Sequence, residues 1–512
     1  MELGQSFCFD DVLMEPLYSN IQSRSIISLE TNIGSNGRNL ILKTPLLSSP
    51  MDTVTEKDMA IKMALCGGLG IIHRYMDIEE QVAHIIKVKR YLQYIIPEPY
   101  RILPTATYNE IIQLANKYNV SSFCVVASMD TNEFVGLITS RDIEYMKYCI
   151  QHTPDKDITV EEIMKSRLQN IIKLDVSICP QSTTLESTLS LAKSLMLQNR
   201  IEKIPITDGI ILKGLITLKN IRHYEDNKSK ACVDANGALC VGAAIGIVGD
   251  YLERLDKLIL AGADLICIDV ANGFNENVFN AIRIIRAKYP SIILMVGNVC
   301  NWQGYEALSR YDVDCIRVGV GNGSICTTRL ETGIGKGQFS ATAECFNYKV
   351  KHNALPNIIC DGGSLGKTGN KVKALACGAS AIMLGRTLAS TEESPGQVIF
   401  RNGRRFKYIR GMASTMANLS KQEKTSNQSS NSNSAKRLKT NFTSEGVDGE
   451  QELTGSVVEL IEQINGGIKS GMSYLGCKNI IELHEKSAKN EIKFNLVSSI
   501  GMTETGIRVK TY

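Results

Sequence analysis

The sequence lacks the features that mark membrane proteins, nucleic-acid-binding proteins and secreted proteins. No apolar run reaches the roughly 18 residues that a membrane span needs. Residues 1–11 do not combine a basic segment with an apolar one, as a secretory leader does. The net charge of +4, from 57 basic and 53 acidic residues, gives no strong field for a nucleic acid or an anionic membrane. We therefore expect a cytoplasmic protein that binds neither.

Cysteine pairs of the Cys-x-x-Cys type are also missing, although the chain has 15 cysteines. Most of them lie in apolar stretches, as Cys267 and Cys360 do. This pattern favours reduced, buried thiols over a disulfide framework or a zinc site. With 512 residues, 43% of them hydrophobic, the chain is long enough for two or three domains with a large core.

Eight apolar segments of strand length alternate with helical stretches before residue 90 and again from about residue 240 to 390. The segments are Leu46–Met51, Gly68–His73, Ala243–Gly246, Asp264–Asp269, Ile292–Asn298, Cys315–Gly319, Ile358–Gly362 and Ala381–Gly385. Continuous apolar runs are typical of parallel strands that are covered on both faces. Eight of them predict an α/β fold, a (β/α)₈ TIM barrel with its chemistry at the carboxyl ends of the strands. A doubly wound open sheet is the alternative.

An insertion of about residues 90–234 separates the second segment from the third, so that the barrel comprises residues 1–89 and 235–512. The insertion contains an internal repeat, because Phe134–Ile143 (FVGLITSRDI) recurs as Leu212–Ile221 (LKGLITLKNI). A repeat of this kind predicts a duplicated strand-turn-helix unit. It is either a pair of ligand-binding modules or a duplicated packing unit without a ligand.

Residues 421–439 consist mainly of Ser, Asn and Lys and contain almost no apolar side chains. Such a segment buries too little surface to offset its conformational entropy. We therefore predict a mobile segment of about residues 415–450, either a flap over the barrel mouth or an inert linker.

The run Arg317–Arg329 (RVGVGNGSICTTR) leaves the sixth segment through closely spaced glycines. Glycines let the backbone turn sharply and approach a ligand. The run is neither a P-loop nor a dinucleotide fingerprint, because the required spacing is missing. Cys326 follows Ser324 and precedes Thr327 and Thr328, which makes it a candidate nucleophile, whereas most cysteines are small buried hydrophobes.

Together with six other motifs, this run resembles the IMP dehydrogenase/GMP reductase family. The other motifs stand in the family order: Phe9–Leu13, Ser48–Glu56, Gly67–His73, Asp361–Gly363, Met383–Gly385 and Tyr408–Met412. The resemblance covers nearly the whole chain except the low-complexity segment. The repeat in the insertion resembles a tandem CBS (Bateman) domain, a module that commonly binds purine nucleotides. Its first copy has Asp142 where such modules often carry a ribose-binding acid, and the second copy has Asn220 there.

The resemblance implies that Cys326 bonds to C2 of a purine nucleotide and that Thr328 and Glu445 act with it in catalysis. It implies contacts to the substrate, GMP or IMP, from Ser49, Met51, Ser324, Asp361, Gly362, Gly363, Gly385, Arg386, Tyr408, Gly411, Met412 and Ala413, with Asp361 on the ribose. The positions implied for the nicotinamide cofactor are Asp269, Ala271, Asn272, Gly273, Asn298 and Gly319. Backbone carbonyls of Gly321, Gly323 and Cys326 match a potassium site. The ordinary alternatives are a capped turn at Asp361 and Gly363, core packing for Tyr408 and Met412, and a solvated position for Glu445.

Within the family, the sequence favours the NADPH-dependent reductive deamination of GMP to IMP. The run Asp269–Glu276 (DVANGFNE) is similar to reductases, and Ser432 and Asn433 stand where dehydrogenases place an Arg-Tyr pair that activates water. The run Ile72–Tyr75 (IHRY) and the CBS pair are more typical of dehydrogenases. The alternatives are therefore an IMP dehydrogenase and a nucleotide-sensing scaffold with an inactive barrel. A homo-oligomer, either a tetramer or an octamer, is expected in each case.

Overall fold

A computed structural model describes residues 4–92, 94–118, 120–152, 158–166, 171–175, 185–364, 366–412 and 445–498. The chain divides into two compact units, one formed by Met1–Tyr91 with Lys230–Tyr512 and the other by Leu92–Ser229. The second unit is slightly shorter than the expected insertion because the flanking residues are bound within the first unit. Lys89 forms ion pairs with Asp234 and Asp264 at 2.9 and 2.7 Å, and Cys232 N donates to a backbone carbonyl of the first unit.

The first unit contains a closed barrel of eight parallel strands, which we label β1 to β8 in chain order. They are Leu46–Ser48, Leu69–Ile72, Gly242–Ile245, Leu265–Asp269, Ile293–Val299, Cys315–Val318, Asn357–Asp361 and Ala381–Leu384. Each strand coincides with one of the eight predicted segments to within one residue at its start or lies inside it, and only β5 runs one residue past the predicted end. Strand β1 pairs with β2 and β8, and β3 pairs with β2, so the sheet has no free edge. The predicted TIM barrel is confirmed, and the doubly wound open sheet is wrong.

The barrel is filled by apolar side chains that point inward from its strands. Leu47, Leu69, Ala244, Met295 and Ile359 belong to one cluster whose members are all buried. Every residue of β1, β2, β3, β6 and β8 is buried, because helices cover the outer face of each strand. This double coverage explains why the strands are continuous apolar runs.

Helices surround the barrel and connect its strands. Their bounds are Lys57–Leu65, Ile78–Lys89, Tyr251–Leu260, Glu276–Lys288, Trp302–Ser309, Gln338–His352, Thr368–Ala376, Val457–Tyr474 and Ile480–Ala488, with shorter helices at Thr328–Thr332 and Arg386–Ala389. The helix after β4 shows how the sequence sets these bounds. Asn275 accepts a hydrogen bond from Asn277 N at its start, and Arg286 and Lys288 lie in its last turn, where cations favour the helix dipole.

None of the helices within the described parts of the chain is long and apolar enough to cross a membrane.

Small sheets lie outside the barrel. Three antiparallel strands, Val398–Arg401, Arg404–Arg410 and Asp448–Glu452, form one of them, and we call it the rim sheet. Two two-stranded sheets join Val12–Met14 to Phe494–Leu496 and Thr31–Asn32 to Ile41–Leu42. Single turns of 3-10 helix occur at Phe9–Asp11 and Arg24–Ile26. The rim sheet matters for function because it joins residues on either side of the low-complexity segment.

The second unit has two three-stranded sheets, each accompanied by helices. The first contains Arg101–Ile102, Phe123–Val126 and Phe134–Ile138 with helices Tyr108–Tyr118, Ser140–His152 and Val160–Ser166, and the second contains Leu174–Asp175, Lys203–Asp208 and Ile211–Thr217 with helices Leu185–Asn199 and Leu218–Lys228. Each copy of the sequence repeat is a strand followed directly by a helix. In the first copy, Thr139 N and Oγ1 donate to Asp142 Oδ2 at 2.8 and 2.7 Å. Asp142 therefore caps the start of the helix Ser140–His152. The Asp142 residue is also buried.

A buried ionic network fixes the amino-terminal end of the barrel, opposite the end expected to carry chemistry. Asp314, just before β6, is fully buried. Its Oδ1 accepts from Arg38 Nε and Ser35 N, and its Oδ2 accepts from Arg286 Nη2 and Leu294 N, each at 2.9 Å. One carboxylate thus ties an amino-terminal loop, a helix and β5 together.

We expect Asp314→Ala to lower the free energy of unfolding by about 3–5 kcal/mol, because Arg38 Nε, Arg286 Nη2 and two main-chain N–H groups lose their buried acceptor. Urea unfolding followed by circular dichroism measures this loss. Glu276→Ala, which removes an exposed ion pair to Arg283 at 3.3 Å, serves as the control and should cost less than about 1 kcal/mol. Equal losses in the two variants would contradict the assignment.

Candidate active site

A cavity of about 380 Å³ opens at the carboxyl ends of the barrel strands. It is lined by Ser49, Pro50, Met51, Arg74, Tyr75, Asp269, Val270, Ala271, Asn298, Arg317, Gly319, Val320, Gly321, Asn322, Gly323, Ile325, Cys326, Thr328, Asp361, Gly362, Gly411, Met412 and Glu445. These residues lie at the carboxyl ends of six of the eight strands, in the loops that follow those strands, or next to the strands of the rim sheet. The cavity lies where barrel enzymes carry their chemistry.

Three side chains in the wall of this cavity form a continuous hydrogen-bonded chain. Cys326 Sγ lies 3.1 Å from Thr328 Oγ1, which donates to Glu445 Oε2 at 2.9 Å. Thr328 gives its single hydroxyl hydrogen to the carboxylate, so the thiol is the donor in the first bond. The arrangement connects a nucleophile to a carboxylate through one hydroxyl group and provides a path for a proton.

Backbone pairing places Glu445 beside Cys326 across a long sequence separation. Thr327 N donates to Glu445 O at 2.9 Å, and Val447 N donates to Ile325 O at 3.0 Å, with Cys326 opposite Gly446. On the other side, Gly411 N donates to Val447 O at 3.1 Å. Residues 445–447 therefore lie between the cysteine loop and the end of the rim strand.

Glycine is required in the cysteine loop at the point where β6 ends. Gly319 has φ +144° and Gly321 has φ +73°, values that other residues rarely adopt. A Cβ atom on Gly319 would collide with the backbone oxygen of Asp361, and one on Gly321 would collide with the Arg329 side chain. The glycine pattern thus reflects close approach of β6 and β7 as well as turn geometry.

A buried guanidinium connects two acidic residues at the floor of the cavity. Arg317 Nη1 donates to Asp269 Oδ1 at 2.7 Å, and its Nη2 donates to Asp361 Oδ2 at 2.8 Å. Asn298 Nδ2 donates to the same Asp361 oxygen at 2.8 Å and to Gly319 O at 2.7 Å. The ends of β4, β5, β6 and β7 are therefore joined by one polar network.

Arg74 and Tyr75, in the loop after β2, form part of another wall. The Arg74 guanidinium carbon lies 5.0 Å from the centre of the Tyr75 ring, and Arg74 Nη2 donates to Asp269 O at 3.4 Å. His73 Nδ1 accepts from Tyr75 N at 3.1 Å, which holds the turn of this loop. Burial, together with the nearby Asp269 and Asp52 carboxylates, raises the pKa of Tyr75, so its hydroxyl is protonated at neutral pH.

Sequence reasoning did not assign a role to Arg317, Arg74, Tyr75 or Asn322, although all four line the cavity. For Arg317 a signal was present, because an arginine inside the otherwise apolar strand β6 requires a buried partner. The run Ile72–Tyr75 was recognised as a motif without a role. Nothing in the local sequence marks Asn322, whose amide contacts Gln338.

Most of the expected site residues line the cavity. They are Ser49, Met51, Asp361, Gly362, Gly411 and Met412 for the substrate, Asp269, Ala271, Asn298 and Gly319 for the cofactor, and Gly321, Gly323, Cys326, Thr328 and Glu445. Ser324, Gly363, Asn272 and Gly273 do not line it, although they lie on the same loops. Three more expected residues also lie outside its wall: Gly385 and Arg386, which follow β8, and Tyr408, which lies in the rim sheet. Arg386 Nε donates to Gln451 in the rim sheet at 3.1 Å. Partial burial and a hydrogen bond to Asp448 raise the pKa of Tyr408.

Two expectations fall wholly or partly outside the described residues. Ala413, expected to contact the substrate, is not among the described residues. The same holds for residues 415–444 of the expected flap. Residues 445–450 of that segment are described, and they hold Glu445 and the start of the strand Asp448–Glu452.

The three carbonyls expected to hold potassium lie in the cysteine loop. Gly323 O accepts a hydrogen bond from Cys326 N at 3.1 Å, which leaves a second lone pair for a cation. Among the described residues, no group of three or more His, Cys, Asp or Glu side chains is arranged to hold a metal ion. Backbone carbonyls suit a monovalent cation, so the donor set fits the expected ion.

Comparison with known proteins agrees with this geometry. The family model for the IMP dehydrogenase / GMP reductase domain matches residues 6–508. Inosine-5'-monophosphate dehydrogenase from Nitrosopumilus maritimus is 37% identical over 508 residues, covering 99% of this chain and 98% of that protein. The enzyme of the same name from Bacillus subtilis is 36% identical over 505 residues, covering 98% and 95%.

Solved structures that resemble this one include GMP reductase from Trypanosoma brucei. A variant of that enzyme in complex with guanosine 5'-monophosphate gives a TM-score of 0.81 at 32% identity, covering 99% of this chain and 98% of that one. The complex of that reductase with guanosine 5'-triphosphate gives a TM-score of 0.72 at 28% identity, covering 97% and 99%. Since the family model and these relatives span almost the full length, the chain is an oxidoreductase of purine metabolism that belongs to the IMP dehydrogenase/GMP reductase family.

Proposed function

We propose that the chain is a GMP reductase, which converts GMP and NADPH to IMP, ammonia and NADP⁺. The observation that carries this proposal is the hydrogen-bonded chain from Cys326 through Thr328 to Glu445. A reductase must protonate a departing amine, and this chain places a proton path beside the nucleophile. The Trypanosoma brucei reductase that binds GMP supports the choice of substrate.

In the first half-reaction, Cys326 Sγ attacks C2 of the purine. The thiol proton passes through Thr328 Oγ1 to the Glu445 carboxylate, and Glu445 then returns it through Thr328 to the C2 amino group. The C2–N bond breaks and ammonia leaves, so that the purine is linked to Cys326 through a C2–S bond. No other proton is consumed in this half, because the thiol hydrogen becomes the third hydrogen of ammonia.

The second half-reaction replaces sulfur at C2 by hydrogen. NADPH, when bound, supplies the hydride for C2. The C2–S bond then breaks, IMP is released, and Cys326 recovers a proton from Glu445 through Thr328 once solvent has recharged the carboxyl group. The role of the cavity wall is to hold the adduct and to exclude water, since water at C2 would yield XMP.

The described residues fit a nicotinamide cofactor beside the cysteine. Asp269, Ala271 and Asn298 line one wall of the cavity. Arg74 Nε and Arg317 Nε are buried and have no hydrogen-bond partner among the described residues. Unpaired buried donors suit a ligand with carbonyl or phosphate acceptors. The carbonyls of Gly321, Gly323 and Cys326 are proposed to hold K⁺ and so to support the cysteine loop.

An IMP dehydrogenase is the second candidate, and one specific observation favours it. This observation is the 37% identity to the Nitrosopumilus maritimus dehydrogenase over nearly the full length of the chain. A dehydrogenase must hydrolyse the cysteine adduct and therefore needs a base for water. The positions at which dehydrogenases carry an Arg-Tyr pair hold Ser432 and Asn433, and for this reason we favour the reductase.

For the second unit, Leu92–Ser229, we propose a tandem CBS pair that binds purine nucleotides. The supporting observation is the duplicated strand and helix, seen at Phe134–Ile138 with Ser140–His152 and at Ile211–Thr217 with Leu218–Lys228. In the first copy Asp142 already accepts two hydrogen bonds from Thr139. A ribose would therefore share this carboxylate with the helix cap. We propose a cytoplasmic homo-oligomer, a tetramer or an octamer, as the functional assembly.

The purified protein should oxidise NADPH when GMP is present and release one ammonia for each NADPH. Absorbance at the cofactor wavelength, with an ammonia assay in parallel, measures the reaction. Turnover of IMP with NAD, together with none of GMP with NADPH, would establish the dehydrogenase. Cys326→Ser should abolish the activity found, and a wild-type chain inactive with both pairs would leave the nucleotide-sensing scaffold as the explanation.

Glu445→Gln and Thr328→Val should each lower kcat by about 10²–10⁴-fold, because each interrupts the proton path. The KM for GMP should change little, since neither side chain is assigned to binding in this mechanism. Steady-state kinetics measures both constants. Glu331→Gln, an exposed carboxylate three residues after Thr328, is the matched control and should retain the wild-type kcat. A reduction in kcat of less than about tenfold in Glu445→Gln would remove Glu445 from the mechanism.

A further inference from the structure

Arg317 occupies an unusual position for a charged side chain. It belongs to strand β6, is 5% exposed, and extends toward the cavity from between apolar neighbours. A Cβ atom on Gly297 of β5 would collide with the Arg317 side chain, so the adjacent strand leaves room for it. A long cation at such a place needs compensation for the water that it loses.

The compensation comes from two carboxylates that belong to two different parts of the proposed site. Arg317 contacts Asp361, which faces the substrate ribose in the proposed function, and Asp269, which faces the cofactor. The other titratable or charged groups near the guanidinium are Cys267, at 3.6 Å, and Arg74, which lies 3.9 Å from Asp269 Oδ2. Burial raises the pKa of Cys267 to about 12, so its thiol is neutral.

The hydrogen bonds to Asp361 are arranged on one side of its carboxylate. Arg317 and Asn298 both donate to Oδ2. Among the described residues, no donor binds Oδ1. One carboxylate oxygen has two lone pairs and can accept from both ribose hydroxyls. The two donors thus orient the group so that its second oxygen is presented to the ligand.

We propose that Arg317 is a positioning residue that holds the carboxylates of Asp269 and Asp361 together and so presents Asp361 to the nucleotide ribose. This inference rests on the proposed function only in placing the ribose at Asp361. Without the guanidinium, two partly buried carboxylates of like charge would face each other across the floor of the cavity. Repulsion between them would drive Asp361 away from its position.

The first experiment measures equilibrium binding of GMP and of IMP by titration calorimetry, without cofactor. Arg317→Met removes the cation and keeps most of the side-chain volume. It should weaken both nucleotides by about 10- to 100-fold, because an acid of the site is left without its counter-charge. Arg317→Lys retains a cation and should lose less affinity than Arg317→Met. Equal affinity of Arg317→Met and wild type, or equal losses in the two variants, would overturn the proposal.

The second experiment separates positioning from a general loss of packing. Asp269→Asn removes the like charge, so adding it to Arg317→Met should restore most of the lost nucleotide affinity. Arg317→Met should therefore cost much less affinity in the Asp269→Asn background than in the wild type. A purely structural role for Arg317 predicts no restoration. If Arg317→Met fails to fold, Arg317→Gln takes its place, because it is also uncharged but keeps an amide donor. It is then compared in the wild-type and Asp269→Asn backgrounds.

Arg286→Met provides the matched control. Arg286 also bridges two aspartates, Asp314 at 2.9 Å and Asp312 at 3.5 Å, but at the opposite end of the barrel. Its substitution should lower the melting temperature and leave the nucleotide affinity of the folded protein unchanged. GMP and IMP share the ribose, so this test does not depend on which of them is turned over. A wild type that oxidises IMP and does not turn over GMP would refute the proposed function. The binding of IMP to the Arg317 variants would still test the role of Arg317.

Discussion

Closure of the eight-stranded barrel is the constraint on which the rest of the structure depends. Parallel strands expose unpaired backbone groups at any open edge, and β2, β3 and the other six strands remove every edge by pairing in a ring. Because all strands run the same way, their carboxyl ends meet at one rim. Asp269 and Asp361, which are distant in sequence, therefore both come within hydrogen-bonding distance of Arg317.

The second constraint acts above the barrel and brings Glu445, the proposed catalytic acid, to Cys326. Glu445 belongs to no barrel strand, and its position follows from backbone pairing between residues 445–447 and 325–327. The barrel thus holds the groups proposed to bind the nucleotide, whereas the pairing above it holds the group proposed to transfer a proton. Side-chain hydrogen bonds fix Asp361, whereas main-chain hydrogen bonds fix the segment that carries Glu445.

The barrel was predictable from the sequence because its strands are buried on both faces. Such burial produces eight continuous apolar runs, which can be recognised without knowledge of the tertiary structure. Cys326 and Asp361 were identified through motifs, and both line the cavity. The contribution of Arg317 was not predicted, since its partners lie 48 and 44 residues away along the chain. Likewise, Ser324 and Gly385 lie on the expected loops outside the cavity wall, because a motif locates a loop and not the direction in which each residue faces.

The pairing at Cys326 and Gly446 has an evolutionary consequence. Its hydrogen bonds join main-chain atoms of Ile325, Thr327, Glu445 and Val447, so they do not require particular side chains at those positions. If Glu445 transfers the proton as proposed, a new side chain at position 445 would change that transfer while the main-chain pairing that holds it stays intact. Related chemistries, one ending in hydride addition and another in hydrolysis, can therefore diverge on a common scaffold through few substitutions.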